Sequence, residues 1–584
     1  MRMSARMFSV GAILALSAVV PTSAQQKPPD QAVILLDQAW SQEDRDWYDH
    51  FSQGSAVLSY DLFLNLEAAD SQDLFRSGLD GPRYGLVSAA AGPNNPDGLP
   101  IGISKTNVAT PIKGWPPGDY AGVTCAACHQ GRLRYKGQVI RIEGGISNTV
   151  DFQGLVRGLD DTLRVTLTDA AKFDRLAARL GATTPEAKDN LRKRAESEAH
   201  RVHAYAARTS VTPHPWGPGR MDAFTMIVDR TNATLADIPE NWSAGTAPVK
   251  PPFLWNAPQG LWTQWAALVQ DPIFRNFGET MGVFLPVDLS SKNPAEGLFQ
   301  SNAALLELQR VESLLERLAP PSWPEDVLGK IDRAKAKAGK ALFVENCANC
   351  HNMWPYRMTE PNRYGKQFVV VGLTPQSYVG TDRTQSEALR PLAITGELSK
   401  FMPPEFRGKP LLPSLVFSFM LTDGALAMAE RKLKLNEADA ANLHGYRELP
   451  TPLPPDSVYK AAPRDGVWAT APFLHNGSVP NLYEMLVPAA ERTKKFFLGG
   501  DFDPVRVGLD IEATSGAFLL DTTLPGNSNA GHSFQDGPRG NGIIGPLLTE
   551  EQRWALVEYL KSIPEVPARV TPFGRPPEKR AAQD

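Results

Sequence analysis

Apolar positions in this chain fall in short stretches, and none after the N-terminus approaches the roughly 18 residues a membrane-spanning helix needs. The N-terminal run, Phe8 to Val20, follows Arg2 and Arg6 and precedes Pro21-Thr22-Ser23-Ala24, which ends in a small-x-small pattern. That order reads as a secretory signal peptide over residues 1–24, and it places the mature chain in a periplasm or outside the cell. Two later stretches carry helical spacing. Residues 334–346 (AKAKAGKALFVEN) are good helix formers, with Ala341, Leu342 and Val344 as the expected apolar contacts. Residues 551–563 (EQRWALVEYLKSI) place Trp554, Leu556, Val557 and Leu560 close to one face, and Thr549 with Gln552 supplies a capping box. The segment 188–208 (KDNLRKRAESEAHRVHAYAAR) is so highly charged that it reads as a solvated helix carrying His200 and His203. Residues 251–283 are the richest in large rings, with Trp255, Trp262, Trp265, Phe274 and Phe277 able to line an apolar pocket or to form ordinary core.

Composition narrows the class. The 584 residues can bury a large core, and 60 basic against 64 acidic residues give a net charge of -4. That balance makes no electrostatic case for nucleic acid or an anionic membrane as partner. The 50 prolines and 47 glycines are spread along the chain and predict much irregular structure. The expected fold is mainly α with extensive irregular loops.

The four cysteines carry the chemistry. They form Cys125-Ala126-Ala127-Cys128-His129 and Cys347-Ala348-Asn349-Cys350-His351, and none is left for a structural disulfide. Two thiols three residues apart share a face of one helical turn and can form thioethers to the vinyl groups of one porphyrin. The following histidine then offers its imidazole to the iron. A redox CxxC requires no such histidine, and both copies have one. The cofactors expected are therefore two covalently bound haem c groups, with His129 and His351 as iron ligands. Residues 334–346 lead into the second motif as the first helix of a cytochrome c domain does, and residues 551–563 resemble the last. The first motif follows Trp115-Pro116-Pro117-Gly118, a turn, so its domain is the more irregular. This divides the chain into a haem domain over 25–330, elaborated and reactive, and a cytochrome c-like electron-transfer domain over 331–584.

Each iron has a second axial position. His532, in Gly531-His532-Ser533-Phe534 shortly before the closing helix, is the leading candidate for the second haem. Met402, in Phe401-Met402-Pro403-Pro404, is its rival. His475, in Leu474-His475-Asn476-Gly477, reads as a supporting residue beside the cofactor. No residue stands out as sixth ligand of the first haem, and Glu279 is a candidate acid or base near it.

With these motifs in place, the sequence resembles the bacterial diheme cytochrome c peroxidase superfamily, and within it the diheme rubber oxygenase-like group. The most specific resemblance is residues 458–484 (VYKAAPRDGVWATAPFLHNGSVPNLYE), joined by Tyr135-Lys136-Gly137, Ile142-Glu143-Gly144-Gly145 and Arg275-Asn276-Phe277-Gly278-Glu279. The resemblance implies a dioxygen-binding reactive haem at His129 and a second haem held by His351 and His532. It also implies a distal-pocket phenylalanine at Phe274 or Phe277. This chain departs from the group in its shorter length, in Gln130-Gly131 after the first motif, and in Glu143 where aspartate is usual. Three readings follow. The first is an oxygenase of an apolar substrate, with Phe274, Phe277 and Trp262 around it. The second is a peroxidase served by a small redox donor. The third is a pure electron carrier, against which the long region between the motifs counts.

Overall fold

The computed structural model describes residues 33–388, 391–452, 454–455, 457–513 and 516–564. The signal peptide expected over residues 1–24 lies outside them. The described residues are mixed α/β with extensive loops, and this corrects the mainly α expectation.

The strands concentrate around the first CxxCH motif. Gln130–Tyr135 and Gln138–Glu143 form an antiparallel hairpin, and Val33–Leu35 adds parallel to the outer side of Gln138–Glu143. The two residues between the hairpin strands, Lys136 (φ 48°) and Gly137 (φ 75°), have the positive φ values that two-residue hairpin turns require. A second antiparallel sheet orders Leu58–Ser59, Gly118–Val123 and Ile103–Val108. The first motif is the connection from Gly118–Val123 to Gln130–Tyr135, so it joins two small sheets. Gly118–Val123 is buried on both faces, through Tyr120, Ala121, Gly122 and Val123, which removes the alternation there, while Ile140 and Ile142 share one buried face.

Helices Phe152–Thr168, Ala170–Arg179 and Pro185–Thr209 pack outside these sheets. The last was read as solvated, yet it buries Leu191, Ala195, Val202, Tyr205 and Ala206 along one face. Most of its charges occupy the rest of the circumference, in water, but Glu198 lies on the buried face and accepts from Ser59 N–H at 2.7 Å. His203 lies on that outer face, 3.0 Å from Asp160.

Helix Arg333–Asn346 packs directly against helix Glu550–Ser562, whose Thr549–Gln552 capping box is formed. The buried stripe of the first is Ala336, Gly339 and Phe343, while Ala341 and Val344 face outward and Leu342 is half-buried. The expected apolar contacts were thus one position out of phase, because the closest approach uses a glycine rather than an apolar side chain. Phe343 meets Tyr559 with ring centroids 5.2 Å apart. A side chain at Gly339 would overlap the Ala555 carbonyl. Gly339→Val is therefore expected to destabilise the protein by about 1–3 kcal/mol, the usual cost of overpacking; a thermal or urea unfolding midpoint unchanged from wild type would refute the close crossing.

One core cluster contains Tyr48, Ala126 and Trp255 together with Phe343, Trp468 and Leu556. The core therefore runs continuously across the expected boundary at 330/331.

Candidate haem centres

Both motifs fold into the same local turn. Cys128 N–H and His129 N–H donate to the Cys125 carbonyl at 3.1 and 2.9 Å, and Cys350 and His351 donate to the Cys347 carbonyl at 3.2 and 2.9 Å. In each, the following histidine is held one turn beyond the first cysteine. All four thiols are free and half-buried. Burial pushes Cys128 and Cys347 up to about 12. Thiols raised in this way are weak nucleophiles, which favours thioether attachment over thiol–disulfide exchange. Among the described residues, no cluster of His, Cys, Asp or Glu is arranged to hold a bare metal ion.

The second motif opens on a cavity of about 250 Å³ lined by Cys347, Cys350, His351, His475 and His532. The rings of His351 and His532 have centroids 6.3 Å apart. Metal–imidazole bonds of ~2 Å on opposite sides of one ion put two ring centroids about 6 Å apart. The residues therefore fit a haem iron held between two imidazoles. Burial is the main cause that lowers His351 far below the ordinary histidine range and His532 to about 3. Both rings are thus neutral, the form that ligates metal. The Ala462 carbonyl lies 3.0 Å from His351 Nδ1, and the Arg464 Nε approaches the same nitrogen at 2.9 Å. The carbonyl-bonded tautomer is the one that keeps Nε2 free for the iron.

His532 is presented by a strained, tightly pinned loop. Its backbone is left-handed (φ 45°), its N–H donates to Val379 at 2.7 Å, and its carbonyl accepts from Arg492 at 2.8 Å. The same buried guanidinium binds the carbonyls of Asn529 and Gly531 at 2.6 and 2.9 Å. Sequence reasoning missed Arg492, since nothing local marks a surface-type residue as a buried loop clamp. Met402 lies elsewhere, buried among Leu398, Ala393 and Phe419. His475 lines the cavity and stacks on Tyr459 at 4.3 Å. Trp265 also lines this cavity, whereas Trp262 packs with Ala267, Val371 and Val458.

Around the first motif the chemistry differs. His129 is lowered to about 4, chiefly by burial, and the Pro252 carbonyl faces its ring without closing a good hydrogen bond. Its side chain and those of Cys125 and Cys128 nevertheless retain some accessible surface, as expected if they border an internal space. Among the described residues no second histidine ring stands against His129, in contrast to His351. Helix Pro272–Gly282 supplies the charged neighbours. Glu279 and Arg275 are both electrostatically coupled to Cys125, and Arg275 to His129. Arg275 is paired with buried Glu312. Burial raises Glu279 above the usual carboxylate range, opposed by Arg275 and by a 3.2 Å hydrogen bond from Gln264. From the same helix, Phe277 is fully buried in the cluster of Met281 and Leu285, and Phe274 meets Phe417 edge-on at 6.2 Å.

That helix begins at Asp271, whose Oδ1 accepts from Ile273 and Phe274 N–H. Asp271 Oδ2 lies 2.6 Å from His444, which also meets Glu430 at 3.1 Å. Burial opposes a charge on His444, but hydrogen bonds to Asp271 and Glu430 outweigh it and raise it to about 10. Because the folded value exceeds the unfolded one, near 6.5, its stabilisation is complete below pH ~6.5 and lost as pH rises through about 10. The difference in unfolding midpoint between wild type and His444→Gln is expected to shrink across that window; a difference that is constant with pH would refute the charged pairing.

Comparison with known proteins fits this picture. The uncharacterized protein y4iJ of Sinorhizobium fredii is 31% identical over 589 aligned positions, covering 92% of this chain and 94% of the relative. This chain belongs to the y4iJ family. A second Sinorhizobium fredii relative, the uncharacterized protein y4iM, is 26% identical over 326 positions, 53% of this chain and 63% of y4iM. Residues 458–497 match the family model described as RoxA-like, cytochrome c-like. In this y4iJ-family chain the matched segment forms one wall of the second cavity, through Tyr459, Lys460, Arg464, Phe473 and His475. The match supports a cytochrome c of the rubber oxygenase-like group.

Proposed function

We propose that this protein is an exported diheme c-type cytochrome oxidoreductase that uses dioxygen or peroxide at the His129 haem, while the His351 haem transfers electrons. The observation that carries the reading is the asymmetry of the two motifs. His351 has His532 opposite it across the cavity, and His129 has no such partner among the described residues. Two imidazoles saturate an iron and leave it to exchange electrons, whereas an open axial position admits a small molecule. Haem c, when bound, supplies the redox-active iron; the protein supplies attachment, orientation and control of access.

The foremost form of the reading is a rubber oxygenase-like dioxygenase of an apolar substrate, with Phe274 and Phe277 carried on the helix that also presents Glu279. The second reading, a peroxidase, is favoured by one observation: Glu279 stands near the first motif with its proton affinity raised by burial. A carboxylic acid that keeps its proton closer to neutral pH is suited to deliver it to a reacting oxygen. Under either reading Gln264 orients Glu279 by its hydrogen bond, and the nearby charge of Arg275 opposes the rise in its proton affinity. We place the mature protein in the periplasm or outside the cell; among the described residues no helix is long and apolar enough to cross a membrane.

Absorption and EPR spectra of the purified protein test the reading. One low-spin bis-histidine haem beside one distinct haem is expected. Two six-coordinate low-spin haems that bind neither carbon monoxide nor peroxide would overturn both enzyme readings in favour of an electron carrier. Oxygen uptake with a polyisoprene latex, against peroxide turnover with a reduced small cytochrome, separates the two.

A further inference from the structure

The second cavity has a one-sided charge. Four cations line it, Lys250, Lys460, Arg464 and Arg539, and no aspartate or glutamate does. Two of the four are accounted for. Lys250 Nζ donates to the carbonyls of Thr470 and Pro472 at 2.6 and 2.5 Å, and Arg539 is exposed at the edge. Lys460 and Arg464 remain. Lys460 is fixed by its backbone, which pairs with Leu373 across a two-stranded ladder and donates to the Trp265 carbonyl at 2.7 Å. Its ammonium makes no hydrogen bond or ion pair among the described residues, and its charged neighbours are Arg275 and Arg464, both cations. Arg464 reaches His351 through Nε and has no carboxylate partner there.

Buried like charges without a counter-ion are unfavourable, so this arrangement is complete only when an anion enters. A dianion is the simplest match to two adjacent cations, and haem c brings two propionate carboxylates on one edge of its ring. Resting on the haem reading above, we infer that Lys460 and Arg464 seat the two propionates of the C-terminal haem. Lys460, which neighbours Arg275, and Arg464 would then hold the polar edge of the group, with the exposed Arg539 left out of the contact. In a water-poor cavity, these cations also stabilise the reduced form of the haem relative to the oxidised form.

The test is a spectroelectrochemical titration of the full-length holoprotein, with covalent haem measured in parallel by the pyridine haemochrome. Lys460→Gln and Arg464→Gln should each lower the reduced-to-oxidised ratio of the low-spin haem at fixed potential by about tenfold or more. For a one-electron couple that is a shift of about 59 mV. Lys460→Arg and Arg464→Lys should restore most of it, and Lys337→Gln, an exposed lysine, should change nothing. Variants that carry wild-type haem content and an unchanged potential overturn the inference. Wild-type protein with no covalent haem would instead defeat the haem reading itself. Should Lys460→Gln fail to accumulate, the resonance Raman propionate-bending bands of Lys460→Arg decide. Bands shifted from wild type support the contact, and coincident bands refute it.

Discussion

Replacing His532 by alanine is expected to convert the C-terminal haem completely from low spin to high spin. The imidazole of His532 is the group placed opposite His351, at the 6.3 Å ring separation that one intervening iron requires. Removing it leaves one axial nitrogen and a vacancy that only a weak ligand such as water can fill. The change should appear as loss of the low-spin EPR signal of that haem and a gain of carbon monoxide binding at a second site. Alanine in the left-handed conformation of residue 532 costs roughly 1–2 kcal/mol. His532→Gly removes that strain and should give the same spectrum. If the haem stays low spin in both variants, His475 becomes the ligand, since it lines the same cavity and Met402 is buried in another cluster.

The parts of this site that were legible in sequence share one property: their chemistry is encoded over a few neighbouring residues. The CxxCH spacing dictates a turn with both thiols on one side, and both copies adopt it. His532 was legible because a glycine-histidine step in a loop shortly before the closing helix is a place from which a ring can reach inward. What escaped was set by contacts distant in sequence. Arg492 clamps a loop some 40 residues away, and Lys460 faces a cavity assembled from several segments, so neither leaves a local pattern. The two small sheets around Cys125 escaped for a different reason. Gly118–Val123 is buried on both faces, and Ile103–Val108 buries the polar Ser104 and Thr106 on its inner face, so neither shows the apolar–polar alternation that marks a strand. At Gly339 the pattern misled outright, since the residue that lets two helices meet has no side chain to count as apolar.

Glu279→Gln is expected to divide the two enzyme readings by a large factor. The carboxyl lies near the first motif, is half-buried, and is hydrogen-bonded by Gln264 within the field of Arg275. Glutamine keeps its size and its ability to hydrogen-bond but cannot release or take up a proton. If peroxide is the oxidant, cleavage of its O–O bond needs a proton delivered to the leaving oxygen, and loss of that acid should slow turnover by on the order of 100-fold or more. The fall should appear in kcat with peroxide, while haem content and the low-spin spectrum of the His351 haem stay as in wild type. If the protein is instead an oxygenase of an apolar substrate, substrate fit and access govern the reaction, and oxygen uptake in Glu279→Gln should stay within a few-fold of wild type. Phe277→Ala then becomes the damaging change, because it removes a fully buried ring from the helix that presents Glu279. Peroxide turnover unaffected by Glu279→Gln would refute Glu279 as the acid of the peroxidase reading.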